Sequence, residues 1–278
     1  MAEPRVSVLI VARDEADNLD ECLRATRWAF ERVVVVDAAS WDATLDIALR
    51  EADKVAVRAF DDFASQRNFA LALASGEWVF AVDADERSTP EQAAEIAAVV
   101  SDPELANRGY RVPIRSVVLG RRFGYSGTQF DLPLRLFRRD SGCWTGLVHE
   151  TVALEGTIGT LSRPLEHHTL PDARAFLAKI NEYTSLEARA LVDAGVRFRL
   201  RDLVARPAWV FLKLYLFKQG FRDGLEGFIF CSLSGVSALV RACKHRELSR
   251  AAERSAPAGV EPAKPWHSRA GRAAGRAA

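Results

Sequence analysis

"WVFAVDADERS", residues 78–88, is an apolar run that ends in Asp83, Asp85 and Glu86. An apolar segment of this length bounded by charge reads as a buried strand with an open carboxyl end. Three carboxylates crowded there repel one another unless they hold a cation. Upstream, "RVSVLIV" (5–11), "RVVVVD" (32–37) and "KVAVRA" (54–59) are β-branched and apolar on both faces, as strands of a covered parallel sheet are. Between them, 18–29, 42–52 and 62–75 have helical spacing, with Asp17 expected to cap the first helix and Gly76 to stop the third. Pro90 suits the first turn of a helix over 90–100. This alternation predicts an α/β fold with a mostly parallel, doubly wound sheet.

From 109 to 170 the runs become short and strand-like ("GYRVPI", "PLRLFRR", "LVHETVAL", "LSRPLEHHTL"), which predicts a mixed-sheet half closing over the first. Helix returns over 172–193. The expected organisation is one α/β domain over 1–195, amphipathic, membrane-associating helices over 196–246 and a disordered basic tail over 247–278. The stretch 206–244 is apolar and aromatic, broken by glycine and flanked by Arg206, Lys213, Lys218, Arg222, Arg241 and Lys244. That pattern suits helices lying in the headgroups of an anionic leaflet.

The bulk composition is that of a globular protein: 278 residues, 49% hydrophobic, 27% charged, net charge +1. Residues 241–278 nevertheless carry nine Lys/Arg against three Glu. Cys22, Cys143, Cys231 and Cys243 form no CxxC pair, so neither a disulfide frame nor a thiolate zinc site is expected, and a reducing compartment fits. "MAEPRVSVLIVARDE" reads as a first strand rather than a signal peptide. No unbroken run of 18 apolar residues occurs, so no spanning helix is expected. The expected location is cytoplasmic, peripheral on the inner face of the cytoplasmic membrane, with no nucleic-acid partner.

In parallel α/β sheets ligands bind outside the carboxyl ends of the strands. Those ends carry Arg13, Asp14 and Glu15, then Asp37, then Asp61 and Asp62, then Asp83, Asp85 and Glu86. Mg²⁺ takes one or two protein carboxylates and completes its shell with water and phosphates. Asp83 and Asp85, two apart on an extended chain, point the same way. Neither GxxxxGK[ST] nor GxGxxG follows a strand, which argues against backbone cradling of phosphate. A nucleotide held through a metal is left.

The stretches "VSVLIVARDEADNLDECL", "VVVVDAASWDAT", "SQRNFALALASGEWVFAVDADE", "LRLFRR", "GLVHE" and "HHT" occur in the order seen in family 2 glycosyltransferases. Over about residues 5–190 the chain resembles the branch that adds sugars to the lipopolysaccharide core, the β-1,4-glucosyltransferase-like proteins. The resemblance implies a GT-A fold and inverting transfer of a hexose, with glucose the first candidate. The donor would be a nucleotide-sugar, UDP-hexose first, and the acceptor a lipid-linked saccharide. It assigns Asp37 to the base or ribose, Arg67 and Asn68 to the nucleotide pocket, Asp83 to the ribose and Asp85 to a divalent metal, Mg²⁺ or Mn²⁺. The turn Asp37-Ala38-Ala39-Ser40-Trp41-Asp42-Ala43-Thr44 lacks the two glycines usual in the family. Their loss is expected to stiffen the turn, and the bulky Trp41 to alter the base pocket.

Inversion needs a base for the acceptor hydroxyl. The resemblance places it at Glu150, with Asp131 in reserve. His149-Glu150 is no HExxH motif, because residue 153 is Ala. His167 is the candidate third metal ligand or pyrophosphate contact, and Arg13 a cation at the phosphate edge. Trp144, between Gly142 and Gly146, is a candidate to stack on a sugar ring. Two other classes compete: a nucleotidyltransferase, disfavoured because "ARDEADN" has no glycine to grip a triphosphate, and a non-catalytic carbohydrate-binding scaffold.

Overall fold

Four parallel strands, β1 (Val6–Ala12), β2 (Glu31–Asp37), β3 (Lys54–Arg58) and β4 (Trp78–Ala81), form the first half in the order β3-β2-β1-β4. The computed structural model describes residues 5–102, 107–128, 131–146 and 150–255, so His149 and the tail beyond 255 lie outside the described residues. The helices α1 (Ala16–Ala25), α2 (Thr44–Glu51) and α4 (Pro90–Ser101) pack Leu19, Leu23, Ala48 and Ile96 against Val8, Ile10, Val34 and Phe80 on one face. Helix α3 (Phe63–Leu73) covers Leu9, Val33, Val35 and Val79 on the other. Val8, Ile10, Val33 and Val35 are fully buried, as both-face apolar patterning requires. Strand order reverses between β1 and β4, which opens a crevice at their carboxyl ends.

After β5 (Glu86–Arg87) come β6 (Asn107–Arg111), β7 (Ile114–Val118), β8 (Arg121–Arg122), β9 (Leu134–Arg138), β10 (Gly142–Thr145), β11 (Thr151–Leu154), β12 (Thr157–Thr160) and β13 (Leu165–Leu170). Strand β9 runs antiparallel to both β4 and β6, and β12 extends the sheet to seven strands. A second, mixed sheet has the order β5-β13-β7-β8. This is the α/β, GT-A arrangement expected: a mostly parallel half with helices on both faces and a mixed-sheet half.

Helix α5 (Ala173–Asp193) packs Phe176 and Ile180 on the second sheet beside Phe230 of α7 (Gly224–Ser255). Between them run α6 (Arg201–Leu212), a π-helical turn (Lys213–Phe217) and a 3₁₀ turn (Gly220–Asp223). Three expectations change here. The residues 247–255, taken as tail, continue α7. A stretch within Gly220–Ala251 is long and apolar enough by length and composition to cross a bilayer, with 28% of it buried. Interspersed Gly and Ser hide it from a search for unbroken apolar runs. Lastly, Glu15 rather than Asp17 occupies the N-cap of α1, with Asp17 in its first turn.

Gly76 does not cap α3, which closes at Ala74. A β-carbon at Gly76 would lie 2.6 Å from Ser7 Oγ and 2.7 Å from the Arg5 carbonyl oxygen, so close approach is what demands glycine. Beside it, the buried Glu31 accepts from Ser7 Oγ (2.6 Å), Ser75 N (2.6 Å) and Ser75 Oγ (2.8 Å), and pairs with Lys54 (2.9 Å). Burial alone would raise its pKa, but these donors outweigh burial and bring it from 4.5 to about 2. A depressed folded-state pKa stabilises above the unfolded value and is lost as pH falls toward the folded one. Glu31→Gln should therefore cost about 3 kcal/mol at pH 7. The gap to the parent should close between about pH 4.5 and 2, read by urea unfolding across that range. A gap independent of pH would show that the carboxylate charge is not its source.

Candidate active site

The acids at the sheet edge divide by what already holds them. Asp62 caps α3 through Ser65 N (2.8 Å), and Asp61 pairs with Arg58 (2.6 Å). Asp14, at φ 54°, accepts from Trp41 N (3.0 Å), and Asp42 accepts from Ala16 N (3.0 Å) and Thr44 N (3.0 Å). The glycine-free turn after β2 thus needs no positive φ of its own, because the left-handed residue is Asp14. Trp41 is 84% exposed and does not line the cleft, contrary to expectation.

The cleft, about 530 Å³, opens between the ends of β1, β2 and β4 and brings together Arg13, Asp37, Arg67, Asp83, Asp85, Glu150 and His167. Seven of the nine residues singled out from sequence therefore meet. Asp83 is clamped: Arg67 donates to Oδ1 (2.6 Å) and Arg135 to Oδ2 (2.8 Å). Burial would push its pKa up, but the Arg135 and Arg67 guanidiniums outweigh it and hold Asp83 well below the usual carboxylate range. Behind it Glu86, 1% exposed, accepts from Asp83 N (2.7 Å) and pairs with Arg135 (3.0 Å). Burial pushes Glu86 up to about 7, Arg135 opposing and the Asp83 charge adding. Arg87 donates to the Ala84 carbonyl (2.8 Å) and the Glu86 carbonyl (3.0 Å), fixing the turn.

Asp85 is left with one side-chain partner, His167 Nε2 at 3.0 Å from Oδ2. Strand pairing makes the contact: β13 lies antiparallel on β5 with His167 opposite Glu86. Burial opposes protonation of His167, but the hydrogen bond to Asp85 and the charges of Asp85, Glu86 and Asp83 outweigh it and raise its pKa. Among the described residues no group of three or more His, Cys, Asp or Glu is placed to hold a metal. The donor set is two residues, one carboxylate from the turn before β5 and one imidazole from β13. That fits a hard cation whose remaining ligands are water and phosphate.

At the cleft's floor Asp37 is 4% exposed, and its Oδ2 has no hydrogen-bond partner among the described residues, with the Arg13 guanidinium 3.4 Å away. Glu150 Oε1 stands 3.6 Å from Arg67 Nε. It faces both the cleft and a second hollow of about 310 Å³ that Arg111, Arg135 and Ile158 also line.

Two expected residues do not join. Asn68 holds β10, donating from Nδ2 to the Trp144 carbonyl (2.8 Å) and accepting from Trp144 N (2.9 Å). One helical step beyond Arg67, it points to the sheet rather than the cleft. Asp131 is exposed and outside the cleft lining, its carbonyl accepting from Ile114 N (3.1 Å). Trp144 is 5% exposed and packs edge-to-face on Phe137, so its ring serves the core.

Sequence reasoning missed Arg135. The antiparallel register pairs Trp78 with Arg138 and Phe80 with Leu136, so stepping down β9 delivers Arg135 to the acidic turn. It lies in the "LRLFRR" motif, but only the pairing of β9 with β4 shows that it reaches Asp83.

The family model described as Glycosyl transferase family 2 matches residues 7–149. The lipopolysaccharide core biosynthesis glycosyltransferase LpsC of Rhizobium meliloti is 30% identical over 86% of this chain and 91% of its own length. An uncharacterized glycosyltransferase of Rickettsia typhi is 24% identical over 88% of each chain. Among solved structures, the mannosyltransferase PcManGT from Pyrobaculum calidifontis, in complex with GDP-Man and Mn²⁺, is similar at TM-score 0.46. Its identity is 18%, over 91% of this chain and 81% of that one.

Proposed function

The chain belongs to glycosyl transferase family 2, and from that premise we propose that it transfers a hexose, glucose first, from a UDP-linked donor to a lipid-linked saccharide acceptor such as lipopolysaccharide core, with inversion at the anomeric carbon. The observation that carries the reading is the Asp85–His167 pair, 3.0 Å apart, opening on the cleft that Asp37, Arg67, Asp83 and Glu150 share. Asp85 and His167 would hold Mg²⁺ or Mn²⁺. When bound, such an ion offsets the charge that builds on a departing diphosphate. Asp37 accepts from the nucleoside end of the donor. Arg67 and Arg135 keep Asp83 ionised and fixed, so that the ribose meets a preset acceptor, and Arg13 adds positive charge at the rim. Glu150 takes the acceptor proton, with the Arg67 guanidinium 3.6 Å away to aim its carboxylate.

The test is a thermal-shift screen of nucleotide sugars with and without Mn²⁺, followed by product analysis on a deacylated lipopolysaccharide-core acceptor. Stabilisation by a nucleotide sugar only with Mn²⁺, and release of the nucleoside diphosphate, are expected. Release of pyrophosphate instead, or saccharide binding without any nucleotide release, would reject the assignment.

Helices α6 and α7 support attachment to the membrane that holds such an acceptor. Trp209 (55% exposed), Phe217 (69%) and Leu225 (68%) stand out of the fold with Arg206, Lys213 and Arg222 exposed among them. Aromatic and aliphatic side chains beside cations match the interface of an anionic leaflet. The full chain is expected to co-sediment with phosphatidylglycerol-containing vesicles and weakly with phosphatidylcholine alone. The double variant Trp209→Ser, Phe217→Ser should bind roughly tenfold or more weakly, from the apolar burial lost. Equal sedimentation of parent and variant would remove this face from the account.

A further inference from the structure

The wall of the cleft beyond β3 carries two aromatic rings that no step above uses. Phe60 and Phe63 both line the cleft that holds Asp37 and Arg67, yet they are 41% and 50% exposed. Their ring centroids lie 5.0 Å apart in an edge-to-face pair. The turn beneath them is braced. Arg58 donates to Gln66 Oε1 (2.6 Å) and to Asp61 (2.6 Å), Gln66 Nε2 donates back to the Arg58 carbonyl (3.2 Å), and Asp62 caps the helix that Phe63 begins. Two large rings held rigidly and half exposed inside a cleft leave apolar surface for a flat ligand to cover.

What shares the cleft with them narrows the ligand. Asp37 Oδ2 is buried and without a hydrogen-bond partner among the described residues, the Arg13 guanidinium standing 3.4 Å off, so it can still accept from an N–H or O–H. A planar ring bearing polar hydrogens satisfies both features at once. We infer that Phe60 and Phe63 form the stacking seat for the donor's nucleobase, with Asp37 receiving a hydrogen bond from the nucleoside. This inference rests on the nucleotide-sugar reading above. Stacking reads a ring face and tolerates any base, so choice among bases falls to the polar contacts rather than to the rings.

Titration calorimetry with UDP and with inorganic pyrophosphate, each with Mn²⁺, separates the seat from the rest of the site. Phe60→Ala and Phe63→Ala should each weaken UDP roughly 5- to 100-fold, the range that base–aromatic stacking implies. Pyrophosphate affinity and the melting temperature should hold, and Phe63→Tyr should keep UDP affinity within about threefold, since a phenol presents the same face. UDP affinity unchanged in both alanine variants, or UDP and pyrophosphate weakened in equal measure, would overturn the seat while leaving the donor reading in place. A parent protein that binds none of UDP, GDP, CDP or ADP would overturn both.

Discussion

Asp85→Asn should lower sugar transfer by about 10³-fold or more, equivalent to about 4 kcal/mol of lost transition-state stabilisation, while the protein stays folded. The expected size comes from the carboxylate of the acidic turn that no guanidinium holds among the described residues. Asp83 is clamped by two guanidiniums and Glu86 is sealed behind it, whereas Asp85 has His167 as its one side-chain hydrogen-bond partner among the described residues. Among the described residues, removing the Asp85 charge breaks no ion pair except that one, and it relieves repulsion among neighbouring acids. Melting temperature should therefore hold within a few degrees or rise. The Mn²⁺-dependent shift seen with nucleotide should vanish. Turnover within tenfold of the parent, measured at saturating Mn²⁺ and donor, would refute the role assigned to this residue.

Glu150→Gln is the second large effect: turnover down by about 10²- to 10⁴-fold, the range a general base contributes, with donor affinity nearly unchanged. Glutamine keeps the shape facing Arg67 but cannot take a proton. The split between turnover and donor binding is what distinguishes a base from a structural ion-pair partner. A carboxylate that merely held Arg67 in place would, when neutralised, loosen the clamp on Asp83 and weaken the donor along with turnover. Kinetics at varied donor and acceptor concentration separate the outcomes, and a loss confined to donor affinity would contradict the assignment.

Much of this architecture was legible because parallel strands buried on both faces leave a strong apolar signature. The runs at 5–11, 32–37, 54–59 and 77–83 each fall on a strand, and the acids after them mark the open edge. What the edge does with each acid was not legible. Asp61, Asp62 and Asp14 look like Asp85 in sequence, yet all three serve turns and caps, where a carboxylate bonds backbone N–H groups or a nearby arginine. His167 was placed by resemblance, and its meeting with Asp85 depends on the pairing of β13 with β5. Asn68 shows the opposite failure. Adjacent to a true cleft residue, it faces elsewhere because successive helical positions are about a quarter-turn or more apart. Phe60 and Phe63 were invisible as site residues, since apolar rings near a strand end read as core.

The seam between β5 and β13 has a consequence for how the protein comes into being. The first hundred residues hold a nearly complete parallel core, but the imidazole that meets Asp85 arrives only with residue 167, beyond the span matched by the family model. During synthesis the growing chain can thus pair β1 to β4 long before Asp85 meets its imidazole partner. On the proposed role of the ion at Asp85 and His167, an unfinished polypeptide would lack transfer activity, and chain order alone would keep half-made copies from hydrolysing an activated sugar.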